Sequence, residues 1–367
     1  MRRLRVELGD RSYPVFIGPG VLEKAGKILA NLGFSTPPVV ITNPLVLRLH
    51  GQVLLASLEH VFGPVPVVQV GDGERFKNQT TLNGIYEALF RAGADRRSWL
   101  VAFGGGMVGD VSGFAAATYM RGIPFVGMPT TLLAQVDSSV GGKVGINTAR
   151  GKNLIGAFHQ PSAVLSDTAA LRTLPAREVA SGIYEIVKCG AIRSEPLLRY
   201  LERNLAAVRA CEAPAIVHVI QEAVRIKAQV VARDEREAGA RMILNYGHTI
   251  GHALEAATGY RRFKHGEAVA WGMIAAGLLA CAMGRMQVEE AERLMRLIHR
   301  VEPLPPLRGI SPARVWDALQ HDKKFRDGKL RMVFLRRLGQ PEIIDDLNPL
   351  RLRRLVADFL GTADERR

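Results

Sequence analysis

The stretch Trp99-Leu100-Val101-Ala102-Phe103-Gly104-Gly105-Gly106-Met107-Val108-Gly109-Asp110 decides the fold class. Five apolar residues, β-rich in character, run into three consecutive glycines, and a helical pattern follows. Gly104, Gly106 and Gly109 satisfy GxGxxG. Glycines at a strand-to-helix turn let backbone N–H groups approach a pyrophosphate at a helix N-terminus. Working outward, residues 38–42 (PVVIT), 65–70 (VPVVQV) and 124–128 (PFVGM) are further short apolar runs, each followed by Gly, Pro, Asn or Asp. A helical pattern at 80–92 lies between two of them, and residues 163–165 complete the strand series. Strands alternating with helices predict a mainly parallel, doubly wound α/β sheet.

The acidic ribose reader of an ordinary dinucleotide fold lies about 20 residues beyond the glycines. Near residue 126 there is no Asp or Glu, and the motif sits well into the chain rather than on its first strand. A dinucleotide here therefore binds in a different arrangement. The loop Gly71-Asp72-Gly73-Glu74-Arg75-Phe76-Lys77 offers the missing carboxylate; the alternative is a simple turn. A second polar tract contains Thr130, Thr131, Asp137, Ser138, Ser139, Gly141, Gly142, Lys143, Gly151, Lys152 and Asn153. Loops of this composition suit phosphates and hydroxyls, as well as plain solvent exposure.

After Thr173-Leu174-Pro175 the pattern changes to long helices, at 176–193, 196–209, 215–235, 244–258 and 267–283. Two domains are expected, 1–178 and 179–367, the second all-α and helical. Within it, Asn245-Tyr246-Gly247-His248-Thr249-Ile250-Gly251-His252 sets two imidazoles four residues apart, with Glu255 three further on. If the segment is helical, all three share one face. His265-Gly266-Glu267 follows. Two histidines on one helical face can ligate a metal, or can be hydrogen-bonded core residues.

The 367 residues carry a net charge of +14, are 47% hydrophobic and 23% charged, and include three cysteines. Cys189, Cys211 and Cys281 are widely spaced and odd in number, which fits a reducing cytoplasm and no disulfide framework. The N-terminus is basic but no apolar segment follows it, so no secretion signal is expected. The apolar run 268–284 is rich in Ala and Gly and short for a membrane span, so it is expected to be a core helix. The arginines are scattered without aromatic interleaving, which favours a small anionic substrate over nucleic acid.

Taken in order, the segments resemble the 3-dehydroquinate synthase family. The matching stretches are GDGERFK at Gly71, GGGMVGD at Gly104, ATYMRG at Ala117, PTTLLAQVDSSVGGKVGIN at Pro129, GKNLIGAFHQP at Gly151 and LRTLPARE at Leu171. The second half adds EIVKCG at Glu185, KAQVVARDERE at Lys227, RMILNYGHTIGHALE at Arg241, KHGEAVAWGM at Lys264 and DKK at Asp322. They span roughly residues 70 to 330; the first 60 and last 40 residues match loosely.

The resemblance implies an NAD-binding α/β domain, a helical domain holding zinc or cobalt, an active site in the cleft between them, and a cytoplasmic homodimer. It implies conversion of 3-deoxy-D-arabino-heptulosonate 7-phosphate to 3-dehydroquinate and phosphate. The implied sequence is transient oxidation at carbon 5 by NAD, phosphate β-elimination, re-reduction, ring opening and intramolecular aldol closure.

Carried over residue by residue, the resemblance places Glu185, His248 and His265 at the metal and His252 beside it, near the substrate. NAD-contacting positions fall on Asp72, Gly73, Glu74, Lys77, Gly105, Gly106, Met107, Val108, Gly109, Asp110, Thr130, Thr131, Lys143, Lys152, Ala170, Leu171, Arg172, Thr173 and Glu178. Asn43 stands near where some members use Asp for the adenosine ribose. Substrate-contacting positions fall on Arg121, Asp137, Lys143, Asn153, Lys188, Lys227, Arg241, Asn245, His252 and one of Lys323 or Lys324. Asp137, Lys143, Asn153, Lys188 and His252 are the candidates for orienting hydroxyls or relaying protons.

A substrate with both a phosphate and a carboxylate needs two cationic clamps, which this set supplies. Other sugar-phosphate cyclases act on substrates without a carboxylate. A polyol dehydrogenase of the same fold group would release NADH, and a basic nucleic-acid binder would show steep salt dependence.

Overall fold

The computed structural model describes residues 1–320, 325–326, 329–345 and 347–362. They form two compact units, residues 1–175 with 210–236, and residues 176–209 with 237–367.

The first unit is built on a seven-stranded sheet. Its strands are β1 (Arg2–Val6), β2 (Tyr13–Gly18), β3 (Val39–Thr42), β4 (Val67–Gln69), β5 (Leu100–Gly104), β6 (Phe125–Pro129) and β9 (Ala163–Asp167). Strands β7 (Lys143–Thr148) and β8 (Gly151–Phe158) form a separate antiparallel hairpin. The order across the sheet is β1-β2-β9-β6-β5-β3-β4, parallel except for the β1–β2 pair.

The parallel strands are apolar on both faces because both are covered. On one side Val40, Val101, Phe103 and Val126 join a core with residues of α1 (Ala25–Asn31) and α3 (Gln52–Phe62). The short α2 (Pro44–Val46) runs into α3 through a wide helical turn. On the other side Val39, Ile41, Leu100 and Ala102 pack with α4 (Gln79–Arg91) and α5 (Gly106–Thr118). Trp99 is buried and its Nε1–H donates to the Thr36 carbonyl at 3.0 Å.

Leaving β3, the chain first builds β4 on one side and then β5 on the other. The carboxyl ends of β3 and β5 thus flank a topological switch point, where open α/β sheets bind ligands. Thr42 ends β3 and Gly104 ends β5.

The second unit is helical: α6 (Ala176–Arg193), α7 (Glu195–Arg209), α9 (His248–Ala257), α10 (His265–Ala282), α11 (Val288–Val301), α12 (Pro312–Gln320) and α13 (Pro349–Thr362). It also has small antiparallel pairs, β10 (Phe325–Arg326) with β11 (Lys329–Leu330) and β12 (Met332–Arg337) with β13 (Gln340–Ile344), which the sequence reading does not include. Helix α10 is long and apolar enough to cross a membrane, yet it is packed by α6, α9, α11 and β12, with nearly every residue from Gly266 to Ala280 buried.

One expectation needs correction. A single boundary at 178/179 assigns α8 (Ala213–Arg233) to the helical domain, but α8 packs on β1 and β2 of the first unit. Its apolar face, including Ile216, Val219, Ile220 and Val224, is buried. Glu178, expected on the NAD domain, belongs to the second unit, where its carboxylate pairs with Lys264 Nζ at 2.5 Å.

Candidate active site

In the first unit the Gly104–Gly106 turn places Gly105 as N-cap of α5, with no side chain capping the helix. The first N–H groups of a helix have no partner within it, and an anion can satisfy them. A methyl group on Gly105 would meet Thr131 Cγ2 at 3.2 Å, and one on Gly106 would meet Ser138 Oγ at 3.0 Å. The pocket at this turn is lined by Gly104, Gly105, Gly106, Gly109, Asp110, Pro129, Ser138, Ser139, Gly142 and Lys143. Met107 and Val108 occupy the first turn of α5, and Thr130 N donates to Gly104 O at 3.0 Å across the sheet end. These glycines form a cradle at an uncapped helix start, which fits a dinucleotide pyrophosphate.

Asn43 sits at the end of β3. Its Oδ1 accepts from Val46 N at 2.8 Å, capping α2, and its Nδ2 donates to Asp72 Oδ1 at 2.9 Å. The amide orientation is therefore fixed, and it aims at the carboxylate of an exposed loop that also holds Gly73 and Glu74. Asn147 Nδ2 donates to Glu74 Oε1 at 2.7 Å and Asn147 Oδ1 accepts from Asn153 N at 2.9 Å.

Lys77 is buried and its ammonium contacts both Asp110 Oδ2 and Asn153 Oδ1. Burial pushes the Asp110 carboxyl above its ordinary range, and the Lys77 charge pulls it partly back. Lys227 on α8, also buried, donates to Asp137 O at 2.6 Å and to Asp137 Oδ1 at 2.5 Å. The candidate substrate residues Lys227 and Asp137 are thus paired within one unit, although the sequence reading put them in different domains.

Sequence reasoning missed Gln135. This buried amide donates to Pro129 O at 3.1 Å and Asp167 O at 2.9 Å, tying the ends of β6 and β9 beneath the Thr130–Thr131 turn. No pattern in the sequence marks it.

The remaining first-unit candidates are spread. Arg121 is exposed and, like Met120, has positive φ, at 68° and 50° respectively. Lys143 opens β7 and is exposed; Lys152 lies on β8. Ala170, Leu171, Arg172 and Thr173 lie in the 3-10 helix Thr168–Thr173, where Thr173 Oγ1 is 2.9 Å from His50 Nε2.

In the second unit, close helix packing assembles the centre. A methyl on Gly266 would fall 2.1 Å from Ser181 O, so α10 lies directly on α6. A methyl on Gly251 would fall 2.8 Å from Ala268 O, and one on Gly272 1.8 Å from Gly247 O, so α9 lies directly on α10. Gly247 itself has φ 79°, which favours glycine at the helix start. The glycines in the Tyr246–His252 stretch thus make the close face, and its histidines occupy the adjacent one.

Glu185 and Lys188 come from α6, His248, His252 and Glu255 from α9, and His265 from the first turn of α10. Glu185 Oε1 lies 3.6 Å from His248 Nε2 and 3.8 Å from His265 Nε2. The three histidines can bring ring nitrogens within 4.8 Å of one another. His248 Nδ1 lies 3.3 Å from the Tyr246 carbonyl, and His265 Nδ1 lies 3.3 Å from Glu255 Oε2. Lys188 Nζ contacts Glu185 Oε2, but neither carboxylate oxygen of this fully buried residue receives a hydrogen bond of good geometry.

A carbonyl oxygen can only accept, so the His248 proton sits on Nδ1 and its Nε2 lone pair faces Glu185. The carboxylate oxygen lies from both His nitrogens at spacings near the ~3.4 Å edge of a tetrahedral site with ~2.1 Å bonds, and the two rings bring nitrogens within 4.8 Å of each other. The donor set fits a borderline divalent ion such as zinc or cobalt, with positions left for substrate.

Arg241 is buried, and Asn245 Nδ2 donates to Glu237 Oε1 at 2.9 Å. Lys323 and Lys324 lie outside the described residues. None of the three cysteines is in a disulfide.

Two solved structures with this fold hold both NAD+ and a divalent metal ion. A 2-deoxy-scyllo-inosose synthase complexed with carbaglucose-6-phosphate, NAD+ and Co2+ superposes with TM-score 0.88 at 27% identity, over 97% of this chain and 100% of that one. A 2-epi-5-epi-valiolone synthase from Streptomyces hygroscopicus subsp. jinggangensis, with NAD+ and Zn2+ bound, gives 0.86 at 29%, over 98% and 99%. The profile for the 3-dehydroquinate synthase N-terminal region matches residues 67–181, and that for the C-terminal region matches residues 182–325. A 3-dehydroquinate synthase of Pelotomaculum thermopropionicum is 48% identical over 95% of this chain and 94% of its own length. One of Citrifermentans bemidjiense is 46% identical over 95% and 97%. The chain belongs to the 3-dehydroquinate synthase family.

Proposed function

We propose that the chain is a carbon–oxygen lyase acting on a phosphate, converting 3-deoxy-D-arabino-heptulosonate 7-phosphate to 3-dehydroquinate and phosphate. The observation that carries this over other sugar-phosphate cyclases is the 44–48% identity to dehydroquinate synthases across 95% of the chain. Inosose and valiolone synthases share the fold at only 27–29%. Glycerol dehydrogenases share it at lower similarity still, with TM-scores of 0.64–0.70.

When bound, NAD supplies a transient hydride acceptor and the divalent ion polarises substrate hydroxyls. Glu185, His248 and His265 hold the ion. The Gly104–Asp110 turn, Thr130, Thr131 and the Asp72–Lys77 loop hold the dinucleotide. Arg121, Lys143, Asn153, Lys188, Lys227, Arg241 and Asn245 receive the anionic groups and hydroxyls.

Lys227 fixes the Asp137 carboxylate in one orientation, and Lys77 fixes Asn153, so both polar groups reach a substrate pre-aimed rather than mobile. His252, exposed and one turn beyond His248, is placed to hydrogen-bond a hydroxyl and pass its proton outward. The overall conversion is redox-neutral, so a bound NAD would leave each turnover in its starting state. A cytoplasmic homodimer belongs to the same reading, as the family resemblance implies.

The test is incubation of metal-loaded protein with the heptulosonate phosphate and substoichiometric NAD. Phosphate should appear in excess of NAD with no accumulation of NADH absorbance. Folded, metal-loaded protein that releases no phosphate overturns the assignment. NADH that builds up in step with substrate consumption would mark a dehydrogenase instead.

The Asn43–Asp72 pair gives a second expectation. Asp72 reads the adenosine ribose in place of an acid on β3. Asp72→Ala should weaken NAD binding about tenfold, the scale of one hydrogen bond to a charged group. Calorimetric titration of the variant checks it, and an unchanged dissociation constant rejects Asp72 as the ribose reader.

A further inference from the structure

Glu255 belongs to none of the roles above, yet it shares a helix face with His248 and His252 and is buried. Its Oε2 lies 3.3 Å from Nδ1 of His265, ten residues along the chain and on the next helix. We infer that Glu255 is a positioning residue for the metal centre, setting the tautomer, ring orientation and basicity of His265.

The reasoning is chemical. An ionised carboxylate has lone pairs and no proton, so it can only accept, and His265 must carry its hydrogen on Nδ1. The Nε2 lone pair is then the one facing Glu185 Oε1. A negative acceptor on Nδ1–H also pushes electron density toward Nε2 and makes it a better ligand. His248 is oriented differently, by the neutral carbonyl of Tyr246. One ring is therefore held by a backbone dipole and the other by a full charge.

His265 has particular need of a side-chain anchor. It stands at the first position of α10, is partly exposed, and its backbone start is fixed by Glu267, whose Oε2 accepts from Lys264 N at 2.7 Å. That contact sets where the Cα lies, whereas the Glu255 carboxylate, buried on the histidine face of α9, bears on the ring itself.

The inference rests on the metal-centre reading, and the test separates the two. Metal-free wild type, Glu255→Gln, Glu255→Ala and His248→Ala are titrated with Zn2+ against a chromophoric chelator, and with Co2+ followed by visible absorption. Thermal unfolding of each metal-free protein is recorded alongside. The glutamine keeps shape and one acceptor but loses the charge, so its zinc dissociation constant should rise about tenfold; the alanine should approach a hundredfold loss. The cobalt bands should shift or weaken in both variants, while metal-free melting of the glutamine variant stays near that of wild type.

If both Glu255 variants bind zinc within twofold of wild type, the positioning role is wrong while the centre stands. Should His248→Ala also bind like wild type, the centre itself is misplaced and the inference falls with it. Where the alanine variant does not fold, the glutamine variant decides alone.

Discussion

His248→Ala should purify without bound metal and should lose on the order of a thousandfold in phosphate release, the scale of a lost Lewis acid worth several kcal/mol. Its Nε2 is 3.6 Å from Glu185 Oε1, and its Nδ1 lies 3.3 Å from the Tyr246 carbonyl, which orients the ring. His252→Ala should behave in the opposite way, keeping its metal while turnover falls. His252 is exposed where His248 is buried, and the rings meet edge-on with centroids 5.3 Å apart. Elemental analysis after gel filtration, run beside the phosphate assay, reads both variants. Metal retained by the His248 variant, or lost from the His252 variant, would reverse the division of labour along α9.

Gly272→Ala should be among the most damaging single-methyl changes in the second unit. The added carbon would lie 1.8 Å from Gly247 O, 2.7 Å from Gly247 C and 2.9 Å from Gly251 N. These are backbone atoms that cannot swing aside, so α9 must move off α10. Overpacking typically costs about 1–3 kcal/mol and sometimes more; a clash between main chains belongs at the top of that range. A melting temperature roughly 10 °C lower is expected. Because Gly247 precedes His248, zinc affinity should fall too, although no ligand is changed. Differential scanning calorimetry of the metal-free protein and a zinc titration read the two effects. A variant that melts and binds like wild type would show that the helices are not held by this contact.

The interior strands of the first unit are legible in the sequence because burial on both faces leaves uninterrupted apolar runs, as at residues 39–42 and 100–104. The edges are not legible. β1 is RRLRV with three arginines, stabilised by pairing with β2 rather than by its own apolar face. β2 contains Pro14, which argues against an interior strand. The structure tolerates it because pairing with β9 begins only at Val15. β8 is exposed or half-buried throughout and has no alternation to detect.

The candidate site divides in the same way. His248, His252 and Glu255 share a face by helical spacing alone, whereas Glu185 lies inside an apolar helix and is picked out by family resemblance. The Lys77–Asp110 and Lys227–Asp137 pairs join residues 33 and 90 positions apart, and nothing local announces such partners.

The packing of α8 has a consequence for synthesis. The polypeptide changes units three times, at 175/176, 209/210 and 236/237. A ribosome that has delivered the whole parallel sheet has therefore not delivered the means to finish the first unit. The apolar surface of β2 must wait, uncovered, while 34 residues of the other unit (176–209) emerge ahead of α8. Nascent domains generally fold as units, N-terminal first; this one cannot close until residue 236 has left the exit tunnel. A fragment cut at residue 178 would lack the helix that covers its own edge and should aggregate.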